Sequence, residues 1–193
     1  IKGMCSSSGH TTASIIANEG IEALTTRRLA KALNCSIGVI SHYFKNKDEF
    51  VLAALHWADQ RIENRIMEAI QNNIGFDSLE PIILSAFPLD EQSDKEWRVR
   101  LNMTIYALTH PALNAKETEK RQNQVAMLVK LAEHMQAAGS VRDDTSAEKI
   151  VSYAFDMFTG IAFNLLIIPM KDRRKRVDIA IELVNALRDS SVQ

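Results

Sequence analysis

The sequence is poor in the residues that punctuate β structure. It holds seven glycines and four prolines in 193 residues, and no Asn-Gly or Asp-Gly pair occurs along it. Two-residue hairpins need such pairs to reach φ > 0, so a hairpin-rich β fold is excluded. Cysteine is scarce too. Cys5 and Cys35 are too few for a disulfide framework, and no C-x-x-C or Cys/His cluster offers a metal site, which predicts a reducing, cytoplasmic setting. Long apolar runs are missing. The most apolar stretch, residues 154–170, carries Asp156, Thr159 and Asn164 and ends at Pro169-Met170, short of the roughly 20 apolar residues of a bilayer span. The first residues show no export signal, and no membrane partner is expected. A charge excess of one sign is also absent, with 23 Lys and Arg against 24 Asp and Glu, while 46% of residues are apolar. That balance excludes a disordered chain. An all-α protein remains, long enough for one unit or for a small domain joined to a larger one.

Catalytic signatures are lacking as well. His10, His42, His56, His110 and His134 show no H-E-x-x-H spacing, and there is neither a G-x-S-x-G elbow nor a glycine-rich phosphate loop. No enzyme, metal or cofactor is expected. His56 and Asp59, one helical turn apart, read as a surface pair.

What is present is a quick succession of helix signals between Gly20 and Phe50. Thr25 can cap a helix over Thr26–Leu33, Asn34-Cys35-Ser36 breaks it, and Ser36 can cap a second from Ile37 to about Tyr43. Asn46-Lys47-Asp48-Glu49 has the spacing of a capping box. The helix starting there has apolar residues at Phe50, Val51, Ala54, Leu55, Ala58, Ile62, Ile66 and Ile70, predicting continuation to about Asn73 with Gly75 as its stop. Five more helices are predicted over 78–87, 92–109, 111–138, 145–168 and 172–188. The segment after Lys149 is apolar on nearly all sides, as in a helix buried from several directions. Val177, Ala180, Ile181, Val184 and Leu187 predict a homodimer through the last two helices.

Two short helices with a small residue at their crossing, a turn residue tolerating φ > 0 and a large apolar residue in the second helix make a helix-turn-helix. Here those residues are Ala30, Asn34 and Ile40. Asn is the best substitute for Gly in the left-handed conformation. Leu29, Leu33, Cys35 and Tyr43 are predicted to supply the other inward contacts.

On these residues, Gly20 to Ala30 and Ser36 to Phe50, the chain resembles the DNA-binding domain of TetR-type (TetR/AcrR) transcriptional regulators. Pro88-Leu89-Asp90, Glu96-Trp97-Arg98 and Ala107 to Pro111 resemble the subgroup containing the choline and betaine pathway repressor. The resemblance implies an N-terminal three-helix DNA-binding domain, residues 1–50, and a larger helical effector-binding and dimerisation domain, residues 51–193. It also implies a homodimer on a double-stranded, pseudo-palindromic operator, released by a small-molecule effector. With the second helix of the motif in the major groove, Gly38, Val39, Ser41 and His42 are the candidates for base edges. Arg27 or Arg28 can pair with a guanine or a phosphate, and the resemblance favours Arg27 for the base. Thr25, Thr26, Ser36, Tyr43 and Lys47 are placed for phosphates, although Thr25 and Ser36 can equally be caps and Tyr43 a packing residue.

The N-terminus departs from the pattern. Of the apolar positions expected before Gly20 only Ile16 fits, Ser8, Thr11 and Thr12 stand at others, and Cys5 to Gly9 have poor helix propensity, which predicts a short, frayed first helix. Residues 1–50 carry six cationic side chains against four acids, a net +2, so few phosphate contacts per protomer and a moderate salt dependence are expected. The run from Lys171 to Arg176 reads as a solvated helix start. Candidates for an effector pocket are Phe87, Trp97, Met103, Tyr106, Met127, Phe155, Phe158 and Asn164, with plain core packing as the alternative for each. Trp97 and Tyr106 would suit a quaternary amine. The competing reading is a helical ligand-binding or interaction protein of this fold without sequence-specific DNA binding.

Overall fold

The computed structural model describes residues 2–72 and 79–185, and among these every regular element is helical. The order is α1 (Lys2–Glu19), a 3-10 turn at Ile21–Ala23, α2 (Thr26–Ala32), α3 (Ile37–Tyr43), α4 (Lys47–Asn72), α5 (Leu79–Ala86), α6 (Glu91–Ala107), α7 (Pro111–Ala137), α8 (Ala147–Leu165) and α9 (Met170–Asn185). The expected stop at Gly75 lies outside the described residues. No described helix is long and apolar enough to cross a membrane.

Contacts divide the chain elsewhere than at residue 50. One compact unit is Ile1–Asn64 with Asp90–Asn114, and the other is Arg65–Leu89 with Ala115–Gln193. In the first unit one core joins Ala13 and Ile16 of α1, Leu24, Leu29 and Ala30, Ile40 of α3, Phe50, Val51, Ala54 and Ala58 of α4, and Val99, Met103 and Ala107 of α6. Helix α6, remote in sequence, thus closes the core beneath the first three helices.

Helix α1 is not short. It extends over 18 residues, and the small residues with poor propensity are what let it pack. A Cβ added to Gly9 would lie 3.2 Å from Trp57 Cβ and 3.3 Å from the Ala53 carbonyl oxygen. Ser8 and Thr12 are buried, and the Thr12 hydroxyl donates to the Ser8 carbonyl at 2.7 Å. The close approach to α4 overrides local propensity, as tertiary packing commonly does.

Asp59 is not half of a surface pair. It is 2% exposed and forms an ion pair with Arg100 of α6. Glu96, equally buried, accepts from Arg61 Nε at 2.9 Å and from Gln92 Nε2 at 2.9 Å. Nearer the end of α6, the Tyr106 hydroxyl donates to Asp48 at 3.0 Å, and its ring stacks on His110 with centroids 3.7 Å apart. Burial first, then the hydrogen bond to Asp48 and the charges of Asp48 and Glu22, push the phenol up to about 12.

In the second unit α7 and α8 meet through Ala132, Ala147 and Val151, and Gly139, at φ 70°, ends α7. Arg173 is turned inward rather than solvated, donating to the carbonyls of Pro88 at 2.7 Å and Ile168 at 3.0 Å. Arg174 pairs with Glu80 and Asp178. Helix α8 is not buried all round: Tyr153, Asp156, Gly160 and Asn164 form an exposed stripe. Val177 and Ala180 are fully buried, whereas Ile179 is exposed. The Val184 side chain and Leu187 lie outside the described residues.

Two outcomes are expected from this packing. Asn34 has φ 50°, so Asn34→Val should lower stability by about 1 kcal/mol in urea unfolding while Asn34→Gly leaves it nearly unchanged. The Tyr106 phenol keeps its proton to about pH 12 folded and to about pH 10 unfolded. It therefore contributes stability that is intact below pH 10 and lost as the pH rises toward 12. In Tyr106→Phe that alkaline loss should shrink, and the last step of phenolate absorbance in a rapid titration should vanish.

Candidate nucleic-acid interface

The interface begins with the two caps and the turn. The Thr25 hydroxyl accepts from the Arg28 N–H at 3.1 Å and the Ser36 hydroxyl from the Val39 N–H at 3.3 Å, so both side chains cap, as one of their two readings has it. Between them Asn34 takes the left-handed conformation, and the Cys35 N–H donates back to the Ala30 carbonyl at 3.0 Å. The capping box at α4 is shifted by one residue. Asn46 Oδ1 accepts from the Glu49 N–H at 3.0 Å, but Glu49 accepts from the Lys45 N–H at 2.7 Å, not from Asn46.

Helix α3 buries Ile40 and exposes Ser36, Gly38, Ser41 and His42, with Val39 half-buried. These candidate base readers therefore share the outward side of one short helix. Tyr43 is not an inward contact. It is exposed, edge-on to His42 at 5.2 Å, while the next residue, Phe44, packs edge-on to Phe50 at 5.0 Å. Ser36 caps where Tyr43 lies open.

The two arginines of α2 differ. Arg28 is held by Glu19 through Nε at 3.1 Å and through NH2, which lowers the Glu19 carboxyl below its usual range. Arg27 is exposed and makes no such bond among the described residues. Lys47 is less open: its ammonium lies 3.1 Å from Glu22 and 5.8 Å from the Tyr106 ring centroid. Thr25, Thr26, Ser41, Lys45, Asn46 and Lys47 line part of a depression of about 440 Å³. Hydroxyl, amide and ammonium groups there suit a phosphate, which would displace the Glu22 carboxylate that shares the cleft and pairs with Lys47.

Two outward side chains went unnoticed in the sequence. Ile37, the first residue of α3, is 48% exposed, and Lys45 is exposed beside the cleft. The signal for both was available: Ile37 follows the cap of the reading helix, and Lys45 precedes that of α4.

The candidate effector residues are divided between the two units. Met103 is in the core of the first unit. Trp97 faces Arg100 at 5.6 Å, and Tyr106 carries Lys47 and His110. Nine residues apart on α6, Trp97 and Tyr106 are separated by about 13.5 Å along the axis, too far to enclose one small cation. In the second unit Phe87 and Phe158 pack edge to face at 5.6 Å, and Phe155 stacks with the Arg121 guanidinium at 4.6 Å. Met127 is exposed, and Asn164 bonds the Gly160 carbonyl.

Comparison with known proteins agrees with this geometry. The family model for bacterial regulatory proteins of the tetR family matches residues 10–54, and that for the C-terminal region of BetI-type transcriptional repressors matches residues 77–186. The HTH-type transcriptional regulator PksA of Bacillus subtilis (strain 168) is 25% identical over 168 residues, 84% of this chain and 80% of PksA. A Rhodococcus sp. protein described as a TetR-family transcriptional regulator superposes with a TM-score of 0.83 at 16% identity, over 98% of this chain and all of that one. A Saccharomonospora viridis protein described as a transcriptional regulator and solved in complex with choline gives 0.81 at 16% identity, over 94% and 97%. At such identities the structures speak for the fold alone. All are regulators, not enzymes, and the two family models together span most of the sequence. The chain belongs to the tetR family of bacterial regulatory proteins, with a BetI-type C-terminal region, and is a DNA-binding transcriptional regulator.

Proposed function

We propose that the protein is a ligand-responsive repressor that binds a pseudo-palindromic operator as a homodimer and leaves it when a small molecule binds. The observation that carries this reading is the outward face of α3, with Gly38, Ser41 and His42 exposed over a buried Ile40. In this reading residues 1–50 meet the DNA, and residues 51–193 take the ligand and the second copy. Gly38, Val39, Ser41, His42 and Arg27 meet base edges, and Thr25, Thr26, Ser36, Tyr43, Lys45 and Lys47 meet phosphates.

Pairing through α8 and α9 is supported by the exposed Tyr153 and Gly160 in the stripe of α8 and by the exposed Ile179 of α9. The ligand would act by population shift. It would favour dimers whose α3 helices no longer match successive major grooves, about 34–36 Å apart. Phe87 and Phe158, packed edge to face in the second unit, are the aromatic pair to test first as effector lining. The choline in the Saccharomonospora viridis protein makes a small organic cation the first ligand to try.

Selection of fragments from a genomic DNA pool at two salt concentrations tests the reading. A pseudo-palindrome enriched at both supports it, and a folded dimer that enriches nothing supports the ligand-binding alternative. Arg27→Ala and His42→Ala should each weaken the enriched site about 5- to 100-fold with little change on unrelated DNA. Lys47→Ala should weaken both alike and flatten the salt dependence. Equal losses in all three variants would contradict this division between base and phosphate readers.

A further inference from the structure

We infer that Ile37 is a base-reading residue, and that it recognises the 5-methyl group of a thymine in each operator half-site. The inference rests on α3 entering the major groove, as proposed above.

Bidentate reading of guanine or adenine requires Arg, Lys, Asn or Gln. The outward residues of α3 are Ser36, Ile37, Gly38, Ser41, His42 and Tyr43, and none is of those types. Arg28 on α2 is held by Glu19. Arg27 is thus the fork left near the groove, and α3 itself must discriminate by other means.

The largest aliphatic side chain among these outward residues is Ile37, 48% exposed at the first residue of the helix, the end at which a recognition helix meets base edges. It takes no part in its own core, because Ile40 fills the inward position. Its neighbour Gly38 leaves the approach clear: a Cβ there would meet nothing nearer than Ser36 Oγ at 3.8 Å. Val39, half-buried, extends the apolar edge. The thymine methyl is the apolar group that base pairs present on the major-groove edge, so it is the group that can cover Ile37 there. Burying an isoleucine against solvated polar edges instead would gain nothing.

The test replaces each thymine of the enriched operator, one symmetric pair at a time, with deoxyuridine. That change removes the methyl and leaves every hydrogen-bonding group. For the native chain one position should lose about three- to fourfold in affinity per methyl. For Ile37→Ala the same replacement should change affinity by little, and Ile37→Val should fall between. Ile37 is exposed, so circular dichroism should show these variants folded. The inference is overturned if no thymine methyl matters more to the native chain than to Ile37→Ala, or if the half-sites hold no thymine in the selected core. Failure to enrich any sequence is a different result, which removes the operator reading itself and this inference with it.

Discussion

The crossing of α2 and α3 over one buried side chain, Ile40, is the constraint from which the DNA-facing surface follows. With Ile40 inward on a seven-residue helix, positions 38 and 42, about 160° from it around the axis, must face out with 41 at their edge, while Ile37, three residues before Ile40, is open at the first residue of the helix. The angle at which that face is presented is set by the turn. Asn34 supplies the left-handed residue, Ala30 keeps the crossing close, and the Thr25 and Ser36 caps settle where each helix starts. None of these residues touches DNA by necessity, yet together they aim those that can.

The platform beneath is equally constrained, and at a cost. Asp59 and Glu96 are buried between α4 and α6, and an ionised carboxylate in such a place needs partners to offset its lost hydration. Arg100, Arg61 and Gln92 provide them. A hydrophobic pair would pack α6 against α4 as well, but it would tolerate sliding. Charge pairs hold one register, because a shift of a few ångströms leaves a carboxylate buried without its cation. Tyr106 on Asp48 does the same at the C-terminal end of α6. The core therefore joins α6 to the helix that begins four residues after α3.

How far this was legible in the sequence depended on whether the signal was local. The Thr25 and Ser36 caps, the Asn34 turn and the start of α4 are decided within a few residues, and they stand where their residue types put them. What was missed is set by partners far along the chain. Residues 5–9 look like poor helix because propensity ignores what Gly9 permits, namely the approach of Trp57 and Ala53. Asp59 looks like a surface acid because its cation, Arg100, is 41 positions away. Tyr43 and Phe44 are adjacent aromatics, and periodicity alone does not say which turns inward; Phe50 does. The apolar run of α8 suggested burial on all sides, whereas its polar and small residues fall on one exposed stripe. Residue type alone singles out the eight effector candidates, and type does not tell a pocket wall from a core.

The weak charge of the head, net +2 over residues 1–50, is weaker still once geometry is considered, and this bears on how it reads DNA. Arg28 and Lys47 are each matched to a glutamate on an earlier element. Phosphate can displace Glu19 or Glu22, but only by exchanging one anion for another, which gains less than pairing with a solvated cation. Arg27, Lys31 and Lys45 are exposed and make no ion pair among the described residues. With so few open cations per protomer, the sequence-independent attraction that counterion release supplies is small. In the proposed complex a larger share of affinity then comes from the fit of α3 to base edges. A head of weak charge that reads through the apolar edge inferred above would give up general affinity for DNA and keep discrimination between sequences.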